Sequence, residues 1–229
     1  PLIAVFPDAI GENGAVTSSS KHASQIGIDV LKNGGNAIDA AIAVGFALSV
    51  TFPNAGNLGG GGFMVIRTSN GEVKTIDFRE VAPQNASRDM YLDEKGDVIS
   101  GMSLYTAHAS GVPGTVAGFE YAHERFGTKS WNYLLRPSIQ LATNGFELSF
   151  RDAMYLNASR SFFLRDEESA KIFAAQDNYS VGDLFIQKDL AKTLRRISIG
   201  GSDEFYNGVT SDMIVKCMKR TGGIITKAD

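Results

Sequence analysis

The run from Ala37 to Val50 constrains this chain more than any other feature. Apart from Asp39 and Ser49 it is made entirely of apolar residues and glycine. A helix that is apolar on nearly every face is buried on every side, so the rest of the chain must supply layers around it. Asn36 is placed to cap its first turn, and Asp39, three residues on, favours the positive end of the helix dipole. The run contains Asp39 and stops before Pro53, which leaves it short of the ~20 residues that cross a bilayer, so no membrane span is expected. With 43% hydrophobic and 10% aromatic residues in 229, the chain has enough apolar surface to build a core and is not a disordered one.

The layer before this run is a second helix. Ala23, Ile26, Val30 and Leu31 recur at helical spacing between Ser20, a fitting N-cap, and the stop signal Asn33-Gly34. Beyond the run the pattern changes to period two. Residues 63–67 and 72–79 flank Asn70-Gly71, the dipeptide suited to a two-residue type I′ turn, which predicts a β-hairpin. In its second strand Ile76 and Phe78 share one face, and Thr75, Asp77 and Arg79 share the other.

After Pro113-Gly114 the chain reads as mostly helical, with segments expected near 115–126, 137–144, 149–164, 189–199 and 210–220. Pro137 suits the first turn of its helix, Ser149 is a candidate N-cap, and Gly127, Asn144-Gly145 and Gly222-Gly223 are stops. Thr226-Lys227-Ala228-Asp229 has the form of a capping box with no helix behind it, which suggests the first part of something longer. The opening Pro1 to Phe6 lacks a basic leader, and the chain does not begin with Met.

Charge and motif searches exclude several chemistries. Lys and Arg number 22 against 25 acids, a formal net charge of −3, and no basic stripe stands out, which argues against nucleic-acid binding. A single cysteine, Cys217, rules out an internal disulfide and a cysteine metal cluster; with Ile214 and Met218 nearby on a helix it is expected to pack. His22, His108 and His123 have no partners at metal-ligand spacing and are expected on the surface or in packing. No metal or cofactor is expected. The serines at Ser103 and Ser202 lack the last glycine of a nucleophile elbow. The run Gly59-Gly60-Gly61-Gly62 precedes a strand and lacks the Lys and Ser/Thr of a phosphate loop; its glycines are expected to serve positive φ or a close backbone approach. Arg79 is the one residue with a sharper alternative. Its fork matches a carboxylate, although from pattern alone an ion pair with Asp77 or Glu80 is the simpler reading.

Five blocks, taken together, resemble the large subunit of the γ-glutamyltranspeptidases, also called γ-glutamyltransferases. They are Gly34-Gly35-Asn36-Ala37-Ile38-Asp39-Ala40-Ala41, Ala55-Gly56-Asn57-Leu58-Gly59-Gly60-Gly61-Gly62-Phe63-Met64, Asp77-Phe78-Arg79-Glu80-Val81-Ala82-Pro83, Gly111-Val112-Pro113-Gly114-Thr115-Val116-Ala117-Gly118 and Gly222-Gly223-Ile224-Ile225-Thr226-Lys227. The resemblance implies an α+β fold, the αββα sandwich of N-terminal-nucleophile hydrolases. In it this chain is the N-terminal portion of a large subunit, with about 1–113 in the sandwich and about 114–229 forming a helical lobe.

It also implies a precursor that cuts itself, exposing an N-terminal Thr on a small subunit that attacks the γ-glutamyl amide of glutathione and related compounds. The amine of that Thr serves as local base, and the resulting ester passes its γ-glutamyl group to water or to an amino-acid or peptide acceptor. Arg79 is implied as the residue holding the α-carboxylate of that group, which reverses the simpler ion-pair reading, and the glycine run becomes its structural support. The nucleophile and cleavage site lie outside this chain, so alone it is expected to be inactive. Export to the periplasm or outside the cell follows from the same resemblance. The alternatives are a cephalosporin or glutaryl acylase of the same superfamily and a non-catalytic fragment. Without its partner the chain is expected to expose apolar surface at the hairpin and along residues 37–50, and so to self-associate.

Overall fold

A computed structural model describes residues 10–229; the opening stretch Pro1 to Phe6 lies outside them. Helix α1 (Lys21–Lys32) starts where the Ser20 side chain accepts from the Ala23 N–H, and it buries Ala23, Gly27 and Val30. Helix α2 (Ala37–Thr51) follows a short turn. The Asn36 side chain accepts from the Ile38 and Asp39 amides, and the Asp39 carboxylate accepts from the Asn36 N–H in return. Ile42, Phe46 and Val50 are wholly enclosed. Helix α4 (Thr115–Phe126) and helix α5 (Trp131–Asn144) join α1 in packing against α2, and the Phe46 ring meets Phe119 and Trp131 edge-on at 5.2 and 5.3 Å. Expected exposure along residues 37–50 is therefore corrected: the chain covers this helix with its own elements.

Strands β1 (Phe63–Arg67) and β2 (Val73–Asp77) form an antiparallel pair, with Phe63 opposite Asp77 and Arg67 opposite Val73. The two-residue type I′ turn is not what joins them. Asn70 does not take positive φ; only Gly71 does, at 86°, and its N–H reaches the Thr68 carbonyl at 2.9 Å. This is the geometry of a three-residue loop closed by a left-handed glycine. The Asn70 carboxamide oxygen accepts from the Glu72 N–H, a local bond that competes with left-handed backbone at Asn70. β2 also ends two residues before the expected position. Phe78 still exchanges both backbone bonds with Gly62, and the next N–H, that of Arg79, donates to the Asp77 carboxylate at 2.9 Å. A four-residue helix, α3 (Met102–Tyr105), and a 3-10 turn at Ala107–Ala109 lie between the hairpin and α4.

The second half is mostly helical, as its pattern predicts, with two corrections. α5 begins at Trp131 and not at Pro137, which sits inside it. Leu134, Leu135 and Ala142 are buried there, with Ser138 among them, and burial of the apolar three outweighs the ~3 kcal/mol cost of an internal proline. Helix α8 (Lys188–Asn207) runs past residue 199 but breaks at Gly201, where φ is 63° and ψ −152°. Its first part packs on α5. Helix α6 (Phe150–Phe163) has the Ser149 cap and a reciprocal bond from Asp152. Helices α7 (Glu167–Phe173) and α9 (Val209–Thr221), with the two-residue strands β3 (Phe146–Glu147) and β4 (Leu184–Phe185), complete the order. α9 ends at Gly222, φ 75°. One continuous apolar core joins α2, β1, β2, α4, α5 and α8.

Candidate functional site

The hairpin has two unlike faces. Ile66 and Ile76 are buried against the helices, with Met64 and Phe78 packed beside them. On the opposite face Phe63, Val65 and Val73 are 65%, 73% and 59% exposed. Arg79 follows the exposed face, as strand alternation requires.

Its backbone is held by close approach on two sides. A Cβ added to Gly61 would lie 2.4 Å from the Phe78 carbonyl oxygen and 2.9 Å from the Arg79 carbonyl carbon; one added to Gly114 would lie 2.1 Å from the same Phe78 oxygen. Only glycine lets these three backbones meet. None of Gly59 to Gly62 has positive φ, so of the two roles expected for the run, close approach is the one it serves. Asn57 braces the arrangement: its side-chain oxygen accepts from the Gly60 N–H at 2.9 Å and from the Thr115 hydroxyl at 2.7 Å, while the Gly60 carbonyl accepts from Gly114 and Thr115. A ladder between Val81 and Val112 continues the support.

The Arg79 guanidinium itself is loosely held. Its Nε lies 3.6 Å from Glu80 Oε2, with the side chain 64% exposed, a contact worth little in water. The Asp77 carboxylate is taken by the Arg79 backbone N–H instead. Among the described residues no side chain or carbonyl accepts from the two terminal Arg79 nitrogens, which leaves paired donors for a planar anion. Sequence reasoning missed Phe63, whose ring centroid is 5.8 Å from the guanidinium carbon. The signal was available, because a residue opposite Asp77 is diagonal to Arg79.

The segment after Arg79 is tied to the far end of the chain. The Gln84 N–H donates to Asp229 at 2.6 Å and its side chain to the Ala228 carbonyl at 2.6 Å. Asp229 also accepts from the Thr226 N–H, while the Thr226 hydroxyl accepts from the Ala228 N–H and not from that of Asp229, so half of the expected box is formed, around a turn. Hydrogen bonds from the Gln84 and Thr226 amides hold the Asp229 carboxyl below its usual value.

A model of the gamma-glutamyltranspeptidase family matches residues 23–229. The chain belongs to that family. It is 50% identical over 220 residues to a glutathione hydrolase proenzyme of a Pseudomonas strain, covering 95% of this chain and 38% of that one. The γ-glutamyltranspeptidase of Helicobacter pylori superposes with a TM-score of 0.94 at 49% identity over 97% of this chain and 64% of that one. A cephalosporin acylase of Bacillus halodurans matches at lower identity, 26%, with a TM-score of 0.84, covering all of this chain and 44% of that one. The chain thus spans about two fifths of the length of the curated relatives it matches. These neighbours place it in the N-terminal-nucleophile hydrolase fold, α+β, to which this chain contributes a mostly helical share.

The remaining candidates take other roles. Cys217 is exposed and does not pack as expected. α9 turns Ile214 and Met218, one turn apart, toward the protein, and the thiol falls on the next face beside Arg220. His22 packs edge-on against Phe146, and His123 bonds the Lys129 carbonyl at 2.7 Å. The Ser202 hydroxyl donates to Glu120 at the α8 break. Among the described residues no His, Cys, Asp and Glu group is arranged to hold a metal, and no helix is long and apolar enough to cross a membrane.

Proposed function

We propose that this chain is the N-terminal portion of the large subunit of a γ-glutamyltransferase and glutathione hydrolase, with about 1–113 in the sandwich and about 114–229 in a helical lobe. In this reading a small subunit from the same precursor supplies a nucleophilic N-terminal Thr. Its hydroxyl attacks the γ-carbonyl of glutathione or another γ-glutamyl compound, the amine leaves with a proton, and the γ-glutamyl ester is released to water or to an amino-acid or peptide acceptor. Arg79 holds the α-carboxylate and so fixes the distance from that carboxylate to the reacting carbonyl. The single observation that carries this is the exposed guanidinium with its terminal nitrogens unclaimed among the described residues, fixed to a backbone that two close-packed glycine-bearing segments immobilise.

A second observation supports the partner. Phe63, Val65 and Val73 form an uncovered apolar face next to Arg79, so a subunit that covers the hairpin arrives beside the bound carboxylate. Export to the periplasm or beyond the cell belongs to the same proposal.

The test is made on the processed enzyme, with the mass and N-terminus of every polypeptide determined first. Arg79→Lys keeps the charge and loses the fork. The expected result is a KM for a γ-glutamyl anilide raised at least about ten-fold, the size of a lost charge-assisted hydrogen bond. An unchanged KM sinks the assignment of Arg79. Preferential turnover of a glutaryl anilide, which lacks the α-amino group, transfers the chain to the acylases.

A further inference from the structure

The site as described explains how the Arg79 backbone is held but not how its side chain is aimed. Two backbone segments converge on Phe78 and Arg79, yet among the described residues the guanidinium has only the 3.6 Å approach of Glu80 as an ion pair. Phe63 is the other group beside it. The ring lies on the same face of the hairpin, opposite Asp77 in the register and therefore diagonal to Arg79, with the guanidinium carbon 5.8 Å from the ring centroid. At that spacing a cation is drawn to the negative face of the ring, and a diagonal pair on a twisted hairpin is within reach of an aromatic and a long side chain. The backbone that carries Phe63 is fixed: its strand begins at the Gly61 and Gly62 contact with Phe78, and its partner Asp77 accepts from the Arg79 N–H. One cross-strand pair thus touches Arg79 at both ends, Asp77 at the amide and Phe63 at the guanidinium.

Resting on the assignment of Arg79 to a substrate carboxylate, we propose that Phe63 is a positioning residue. Its ring is a shelf that keeps the guanidinium off Glu80 and turned toward the bound carboxylate. The two carboxylates compete for one cation, and the shelf biases that competition because the ring attracts the guanidinium without accepting its in-plane N–H donors.

The experiment is a double-mutant cycle on the processed enzyme, with KM and kcat for a γ-glutamyl anilide measured for wild type, Phe63→Leu, Arg79→Lys and the double variant. Phe63→Leu is expected to raise KM roughly three-fold, the size of an exposed cation–π contact, with kcat nearly unchanged. In the Arg79→Lys background the same substitution is expected to add almost nothing, since the fork it aims is gone. Phe63→Tyr, which keeps the ring, is expected to restore KM to within experimental scatter of wild type. Phe63→Met is run beside them, since it keeps an apolar side chain without a ring and answers the same question should the Leu variant fail to mature. Equal effects of Phe63→Leu with Arg79 and with Lys at position 79, or a fall in kcat with KM unchanged, overturn the proposal and leave Phe63 as packing only. If instead Arg79→Lys leaves KM unchanged, it is the carboxylate assignment that fails, and the two failures are told apart within one set of proteins.

Discussion

Helix α2 and the β1–β2 hairpin are both rich in apolar residues, but the chain treats them differently. α2 is covered along most of its surface by α1, α4 and α5, with Ile42, Phe46 and Val50 sealed from solvent. The hairpin is finished on one face only. Ile66 and Ile76 are buried, while Phe63, Val65 and Val73 on the other side are open. The helix spends its apolar surface on holding this chain together. The hairpin leaves half of its surface open, and Arg79 stands at the rim of that half. The proposed role of Arg79 falls where the packing stops.

Three substitutions test that contrast, and the largest effect belongs to the closed region. Phe46→Ala removes a ring that meets both Phe119 and Trp131 and is expected to cost about 3–5 kcal/mol, read as a fall in the urea midpoint. A loss under 1 kcal/mol would mean that α2 is not the centre of the core.

Asp39 comes next. Its carboxylate is buried and accepts from the Asn36, Thr128 and Lys129 amides and the Thr128 hydroxyl. Burial pushes its pKa up, but the hydrogen bonds from Thr128, Asn36 and Lys129 together outweigh it and hold the carboxyl below its ordinary value of 3.8. A folded pKa below the unfolded one means that the ionised form favours folding. That stabilisation is therefore complete above the ordinary value and is lost as the pH falls through the lowered one. Asp39→Ala leaves several buried N–H groups unpaired and is expected to cost at least about 2 kcal/mol at neutral pH, with a smaller deficit against wild type in acid. A deficit that stays constant down to strong acid would show that ionisation of Asp39 is not what matters.

The smallest stability effect belongs to the open region. Val65→Thr keeps the β-branch on the bare face and is expected to change stability by less than about 0.5 kcal/mol, while reducing self-association of the isolated chain in sedimentation velocity. A large loss of stability would mean the face is covered after all and would erase the contrast.

Much of this was legible in the sequence, and the reasons differ by element. The nearly all-apolar run reads as a core helix, although not as one that this chain alone would cover, and its Asn36 and Asp39 signals are local enough to read without tertiary context. Alternation put Arg79 on the open face correctly. The type I′ turn failed because Asn70-Gly71 suits two loops, and a side-chain bond from Asn70 to the Glu72 amide selected the other. The start of α5 was missed because Pro137 is a boundary signal, whereas the buried stripe of Leu134, Leu135, Ser138 and Ala142 exists only once α2 and α8 are there to receive it. The glycine run was read as permissive without its partner being nameable: Gly61 meets Phe78 and Arg79 across a strand pair, and Gly114 meets them from much further along the chain. Cys217 was misplaced by one helical face, an error periodicity invites when a helix is short of strong apolar markers.

The bonds between Gln84 and the Ala228-Asp229 pair carry a consequence for the order of events during synthesis. They join residues separated by up to 145 positions in the chain. At translation rates of roughly 5–20 residues per second, Gln84 waits on the order of ten seconds for the carboxylate that receives its amide. The helices around α2 are built from contacts available well before that. The segment that follows Arg79 therefore settles late, after the helices around α2 have formed behind it.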